Sequence, residues 1–139
     1  MPFNKSIDCS LGSDIADLWV MPAALRQLQE CGETELVEEL LVIFESDSVA
    51  RLEVLAHAVE GADYATARQE AHTLKGSALQ VGAVRFAEAC RQMEMEARKE
   101  LPSNLTALYR AILGSFDEVR GVIAAHRLLE KDGPAHNGQ

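Results

Sequence analysis

Apolar residues recur every three or four positions along most of this chain, which is the period of an amphipathic α-helix. The clearest series comprises Tyr64, Ala67, Ala71, Leu74, Ala78 and Val81. Alternating spacings of three and four are typical of a helix that packs along one stripe in a bundle. The small side chains of its three alanines would let neighbouring helices approach closely. We therefore predict a helix that is buried on one side.

Three further segments show the same period. The positions that recur at this spacing, most of them apolar, are Leu40, Phe44, Ser48, Leu52, Leu55 and Val59; Phe86, Cys90, Met93 and Ala97; and Leu105, Leu108, Ile112, Phe116, Val119, Ile123 and His126. Residues 23–30 form a shorter stretch of good helix formers that begins after Pro22, a residue suited to the first helical position. No segment shows the period of two that marks a strand. The pattern predicts an all-α fold, an antiparallel four-helix bundle with an additional short N-terminal helix.

Capping and breaking residues set the expected helix boundaries. Thr34 and Asp63 can cap the N-termini of two helices, whereas Gly61, Gly82 and Pro102 end or separate helices. The short connections make neighbouring helices antiparallel.

The chain of 139 residues is long enough for one domain. We expect this domain to span residues 22–130. It would follow an N-terminal arm, residues 1–21, that is loose apart from a short helical turn over residues 13–20. Gly133 and Pro134 should end the last helix and leave residues 131–139 as a flexible C-terminal tail.

Charge narrows the possible partners. Thirteen Lys and Arg residues against 22 Asp and Glu give a net charge of −9, which disfavours nucleic acid and anionic membrane surfaces as partners. No apolar run approaches the roughly 18 residues of a spanning helix, and no secretory signal is recognisable. The cysteines Cys9, Cys31 and Cys90 are odd in number and scattered, which suits a reducing compartment. We therefore expect a cytoplasmic protein.

The candidate chemistry lies beside the buried stripe of the alanine-rich helix. An adjacent face of that helix carries Arg68, Gln69, His72, Lys75, Gly76 and Leu79. A histidine on an open face is partly neutral and nucleophilic near neutral pH. Lys75, one turn away, would supply positive charge for a phosphoryl group. Gly76 costs a helix interior about 1 kcal/mol relative to alanine, and its missing side chain would let a bulky group approach His72. A surface histidine near a lysine commonly has no function, and spacing alone does not decide between the two interpretations.

Residues 71–83, AHTLKGSALQVGA, resemble the signature of the histidine-containing phosphotransfer (HPt) family of bacterial and fungal phosphorelays. The matching positions are His72, Leu74, Lys75, Gly76, Ser77, Gly82 and Ala83. Weaker similarity continues in residues 39–47, 61–63 and 86–98, so that the resemblance covers about residues 22–127. The family more often has leucine where Phe86 and Met93 stand.

The resemblance implies a bundle whose histidine accepts a phosphoryl group from one receiver-domain aspartate and passes it to another. His72 would be the phosphorylated nucleophile, Lys75 would stabilise the phosphoryl group, and Gly76 would provide clearance. Together with Gly76, Arg68, Gln69 and Leu79 would form the receiver-docking face. The expected partners are the receiver domains of a hybrid sensor histidine kinase and of a response regulator.

The same resemblance implies a phosphoryl carrier and not an enzyme with kinase activity of its own. The sequence has no glycine box for ATP, and we expect no bound cofactor and no metal site. Phosphoryl transfer usually needs Mg²⁺, and no carboxylate cluster next to His72 is recognisable in the sequence. The receiver would therefore bring both Mg²⁺ and the aspartate.

Two alternatives stay open at this point. One is the dimerisation and phosphoacceptor domain of a sensor kinase, which usually has an acidic residue after the histidine and a proline one turn later. Here Thr73 follows the histidine, and the next proline is Pro102. The other is an adaptor bundle that binds a partner and carries no phosphate. Phosphorylation by a receiver-bearing kinase would separate a carrier from an adaptor.

Overall fold

The computed structural model describes the backbone of residues 18–138 and the side chains of residues 18–129. Five helices account for most of this part of the chain, and it contains no strand. They are α1 (Ala23–Glu30), α2 (Thr34–Glu60), α3 (Tyr64–Val81), α4 (Val84–Ala97) and α5 (Leu105–Gly138). Helices α2 to α5 form an antiparallel four-helix bundle in which each helix packs against the next and α5 returns to α2, while α1 packs on α2. The predicted fold class is confirmed.

Three phenylalanines from different helices form the centre of the core. Phe44 of α2, Phe86 of α4 and Phe116 of α5 have ring centroids 5.1–6.2 Å apart. Helix α3 contributes Ala67, Ala71, Leu74 and Ala78, all fully buried. The predicted stripe of α3 is therefore confirmed, apart from Tyr64 at its first position, which is exposed. Because three of its four central core residues are alanines, α3 lies close against α2 and α4.

The buried face of α2 differs from the predicted one. Leu41 is buried where the periodicity indicated Leu40, and Ala58 is buried where it indicated Val59, which is half-buried. The physical reason is the uninterrupted apolar run from Leu40 to Phe44, in which several helical registers fit equally well. Contact with α1, α3 and α5 also widens the buried face of this helix.

The end of the predicted N-terminal arm packs against the bundle. Leu18 is buried, and the indole Nε1 of Trp19 donates a hydrogen bond to the carbonyl oxygen of Val81 at 2.7 Å. The backbone nitrogen of Val20 donates to the carbonyl oxygen of Gly82 at 2.8 Å. These two bonds satisfy carbonyl oxygens at the end of α3 that have no partner within the helix. They hold Trp19 and Val20 against that end of the helix. Residues 1–17, with most of the predicted turn over 13–20, lie outside the described residues.

Two predicted helix boundaries also differ. Helix α5 continues through Gly133 and Pro134 to Gly138, so the proline, which removes one backbone donor from the helix, does not end it where the sequence predicted. Thr34 is the first residue of α2, and Glu33 precedes it without a side-chain cap. The domain boundaries at residues 22 and 130, and the flexibility of residues 131–139, stay predictions.

Candidate functional site

Helix α3 is fixed at both ends, which sets the position of the residues between them. Asp63 accepts a hydrogen bond from the backbone nitrogen of Thr66 at 3.2 Å, as predicted for an N-cap, and this bond lowers the pKa of the Asp63 carboxyl. Gly82 ends the helix in the left-handed conformation with φ of +82°.

His72 lies near the middle of α3 with its imidazole largely in solvent. Its side chain is 65% exposed, while its neighbours Ala71 and Leu74 face the core. The ring leans toward α4, where its Nδ1 lies 2.9 Å from Oε2 of Glu94. One nitrogen of the imidazole is therefore held by the protein.

Glu94 is a buried carboxylate, 4% exposed, that three side chains contact. Besides His72, Arg98 donates from Nη2 to Oε2 at 2.9 Å. Nζ of Lys75 lies 2.8 Å from Oε1, the other carboxylate oxygen. Burial raises the pKa of Glu94, but Lys75 and His72 outweigh burial, and its pKa lies below the ordinary value. Glu94 is thus ionised near neutral pH.

The ionised carboxylate fixes the tautomer of His72. Because Glu94 can only accept a hydrogen bond, Nδ1 of His72 must carry the proton that joins them. In the neutral ring, the lone pair then resides on Nε2, the nitrogen not engaged by Glu94. The arrangement presents a defined nucleophilic atom at the surface.

The other predicted site residues lie around this atom on α3. Gly76 is exposed, and a Cβ added to it would meet no heavy atom within 4 Å. Leu79 is 57% exposed, and Arg68 and Gln69 are exposed one turn before His72. The structure joins His72 and Lys75 through Glu94. The remaining four site residues lie on the same exposed side of α3 as His72: Arg68, Gln69, Gly76 and Leu79.

Sequence reasoning did not assign a role to Glu94 or Arg98. Glu94 follows Cys90 by four residues and precedes Ala97 by three, so it occupies a core position of α4. A glutamate at a core position could have indicated this site from the sequence, because a buried carboxylate needs hydrogen-bond or charged partners. Its partner His72 lies 22 positions away on another helix, and this pairing is not visible in the spacing.

Within residues 18–138, no helix has the length and apolar character to cross a membrane. The described side chains also include no group of three or more His, Cys, Asp or Glu residues placed to bind a metal ion. His57 is exposed on α2, and His126 of α5 lies 3.1 Å from the amide nitrogen of Gln29.

Comparison with known proteins identifies the family. The Hpt domain family model matches residues 39–128. Histidine-containing phosphotransfer protein B from Pseudomonas aeruginosa PAO1 is 32% identical, with 78% of this chain and 94% of that chain covered and a TM-score of 0.69. A putative histidine-containing phosphotransfer protein from rice shares the fold at 20% identity, with 93% and 94% of the two chains covered and a TM-score of 0.72. No curated protein sequence gives a match. The chain therefore belongs to the histidine-containing phosphotransfer (Hpt) family, whose members carry phosphoryl groups in two-component phosphorelays.

Proposed function

We propose that this protein relays a phosphoryl group between the aspartates of two receiver domains, and that Nε2 of His72 is the atom that carries it. The observation that carries the proposal is the exposed imidazole whose Nδ1 is bound by the buried Glu94 at 2.9 Å. Such an arrangement leaves a single nitrogen free to react and holds its ring in one orientation.

In the covalent step, the imidazole lone pair is the nucleophile and a phosphorylated aspartate is the donor. Nε2 of His72 attacks the phosphorus, and the new N–P bond forms as the P–O bond to the aspartate breaks. The aspartate carboxylate leaves with the electron pair of that bond. The proton stays on Nδ1, so the ring gains positive charge opposite the carboxylate of Glu94. In onward transfer, the carboxylate of the second receiver attacks the phosphorus, and the N–P electron pair returns to Nε2.

Lys75 and Gly76 assist this step in different ways. The Lys75 ammonium lies one helical turn from His72 and is 25% exposed, so it can reach phosphoryl oxygens. The open space over Gly76 admits the receiver. Arg68, Gln69 and Leu79 supply exposed polar and apolar surface on the same side of α3 for docking.

The receiver completes the site in this proposal. Glu94 is already engaged by Lys75, Arg98 and His72, so it has little capacity left to bind Mg²⁺. We assign the metal and the acceptor aspartate to the receiver domains of a hybrid sensor kinase and of a response regulator. Such a carrier has no need for ATP or for kinase activity of its own. A cytoplasmic location belongs to the same proposal, because the carrier must meet both receivers.

The test is phosphorylation by a phosphorylated receiver domain, followed by treatment of the label with acid or base. We expect a label that is labile in acid and stable in base, as phosphohistidine is. His72→Gln should abolish the label, whereas His57→Gln, at an exposed histidine of α2, should keep it. A full label on the His72 variant would refute the assignment. Receiver binding without any label would favour the adaptor alternative.

A further inference from the structure

We infer that Arg98 is a positioning residue for the transfer: it keeps Glu94 neutralised so that the charge of Lys75 can turn to the phosphoryl group. This inference rests on the proposed function of His72. It goes beyond that function because it assigns a role to a residue that does not touch the phosphoryl group.

The charges around Glu94 do not balance one to one. One buried carboxylate is contacted by two basic side chains, Lys75 at 2.8 Å and Arg98 at 2.9 Å. A buried charge without a partner is strongly unfavourable, and a counter-ion offsets that cost only where its geometry is good and hydrogen bonds complete the pair. The two cations together carry one positive charge more than the single negative charge of Glu94. A phosphoryl group on His72 brings negative charge to this position.

The two cations differ in which of them can leave. Arg98 hydrogen-bonds to Oε2, the same oxygen that Nδ1 of His72 contacts, so it holds the atom that orients the ring. Lys75 contacts the other oxygen, Oε1, which neither His72 nor Arg98 uses. Its flexible side chain lies on the same helix as His72, one turn away. Lys75 can therefore swing to the phosphoryl oxygens while Arg98 and His72 keep Glu94 in place.

A simpler explanation is that Arg98 only attracts an acidic receiver. Arg91 provides the matched control, because it lies on the exposed surface of the same helix, three residues before Glu94. It pairs with Glu88 at 2.6 Å instead of with Glu94. Replacing Arg91 or Arg98 by glutamine removes the same charge, but only Arg98→Gln changes the surroundings of Glu94.

The experiment measures single-turnover transfer from a phosphorylated receiver as a function of receiver concentration. Arg98→Gln should lower the maximal rate about three- to fivefold, the size expected for a partly exposed ion pair, and leave the half-saturating concentration unchanged. Arg98→Lys should restore most of the rate, and Arg91→Gln should leave the maximal rate unchanged. Unfolding midpoints measured in parallel establish that every variant is folded.

A double-mutant cycle with Glu94→Gln makes the test specific. Because the neutral amide introduced by Glu94→Gln needs no counter-ion, adding Arg98→Gln to that variant should not slow transfer further. The inference would be overturned if Arg98→Gln slowed transfer equally in the parent protein and in the Glu94→Gln variant. It would also be overturned if Arg98→Gln changed only the half-saturating receiver concentration. Labelling of His72 in the parent protein is scored separately. A labelled parent with an unaffected Arg98 variant rejects only this inference, whereas a label that survives His72→Gln rejects the proposed function.

Discussion

At the scale of single residues, the site depends on a carboxylate located where an apolar side chain is expected. Glu94 is almost fully buried, and desolvation alone would favour its neutral form. The contacts with Lys75 and His72 reverse this effect and lower its pKa. The ionised form matters chemically, because a protonated carboxyl could donate to Nδ1, and the proton of the neutral ring would then lie on Nε2 and leave it without a lone pair.

Lys75→Ala should slow transfer about ten- to a hundredfold, the size expected for a charge-assisted contact to a phosphoryl oxygen. Receiver binding should change little, because Lys75 is mostly covered in the free protein. Rapid-quench kinetics and a separate binding titration distinguish the two effects. Transfer at the parental rate would mean that Lys75 serves only as a counter-ion of Glu94.

Gly76 allows stability and transfer to be changed in opposite directions. Gly76→Ala should stabilise the protein by up to about 1 kcal/mol, because alanine favours the helix and its Cβ meets no neighbour. Gly76→Gln should fold normally but transfer slowly, because the longer side chain covers the approach to His72. Thermal unfolding and transfer rates measure the two outcomes. Normal transfer by Gly76→Gln would show that clearance is not the reason for the glycine.

At the scale of secondary-structure elements, the histidine helix is held from outside the four-helix bundle. Trp19 and Val20 bind carbonyl oxygens of Val81 and Gly82. The Trp19 ring also packs edge-on against His126 of α5, with ring centroids 5.0 Å apart. The segment before α1 therefore connects the C-terminal end of α3 to α5.

Gly82→Ala should destabilise the protein by about 1–2 kcal/mol or more. The left-handed backbone alone costs about that much for a residue with a Cβ, and the added Cβ would overlap the carbonyl group of Val20. Gly114→Ala is the matched control, since Gly114 lies within α5 with open space around it. Urea unfolding should show a lower midpoint for the first variant and an equal or higher midpoint for the second. Equal midpoints would contradict the described packing of Val20 against Gly82.

The buried face of one helix could be predicted from the sequence, whereas that of another could not. The face of α3 was predictable because its small and apolar residues alternate with polar ones, and its ends carry Asp63 and Gly82. The face of α2 was not, because residues 40–44 are apolar without interruption. His72, Lys75 and Gly76 could be identified from spacing and family resemblance on one helix. The roles of Glu94 and Arg98 depend on how α4 packs against α3, and this packing is not encoded in local spacing.

At the scale of the whole molecule, the buried carboxylate makes stability depend on pH. The pKa of Glu94 is lower in the folded state than its ordinary value, so the unfolded state binds more protons in the acidic range. The stabilisation from ionised Glu94 is therefore complete above the ordinary carboxyl pKa and is lost as the pH falls through the lowered folded value.

The free energy of unfolding of the parent protein should accordingly fall more steeply below about pH 5 than that of Glu94→Gln. Glu39→Gln, which removes an exposed carboxylate of α2, should keep the parental slope. Urea titrations at a series of pH values provide the comparison. Parallel curves for the parent and Glu94→Gln would mean that Glu94 is not ionised through its contacts with Lys75 and His72.

The most direct test of the proposed transfer is to locate the phosphorus on the protein. Protein labelled with ¹⁵N-histidine would be phosphorylated by a receiver domain and examined by ¹⁵N and ³¹P NMR. We expect a single phosphohistidine at His72, with phosphorus bonded to Nε2 and the proton retained on Nδ1. Phosphorus on Nδ1 of His72, or on a different histidine, would contradict the proposal.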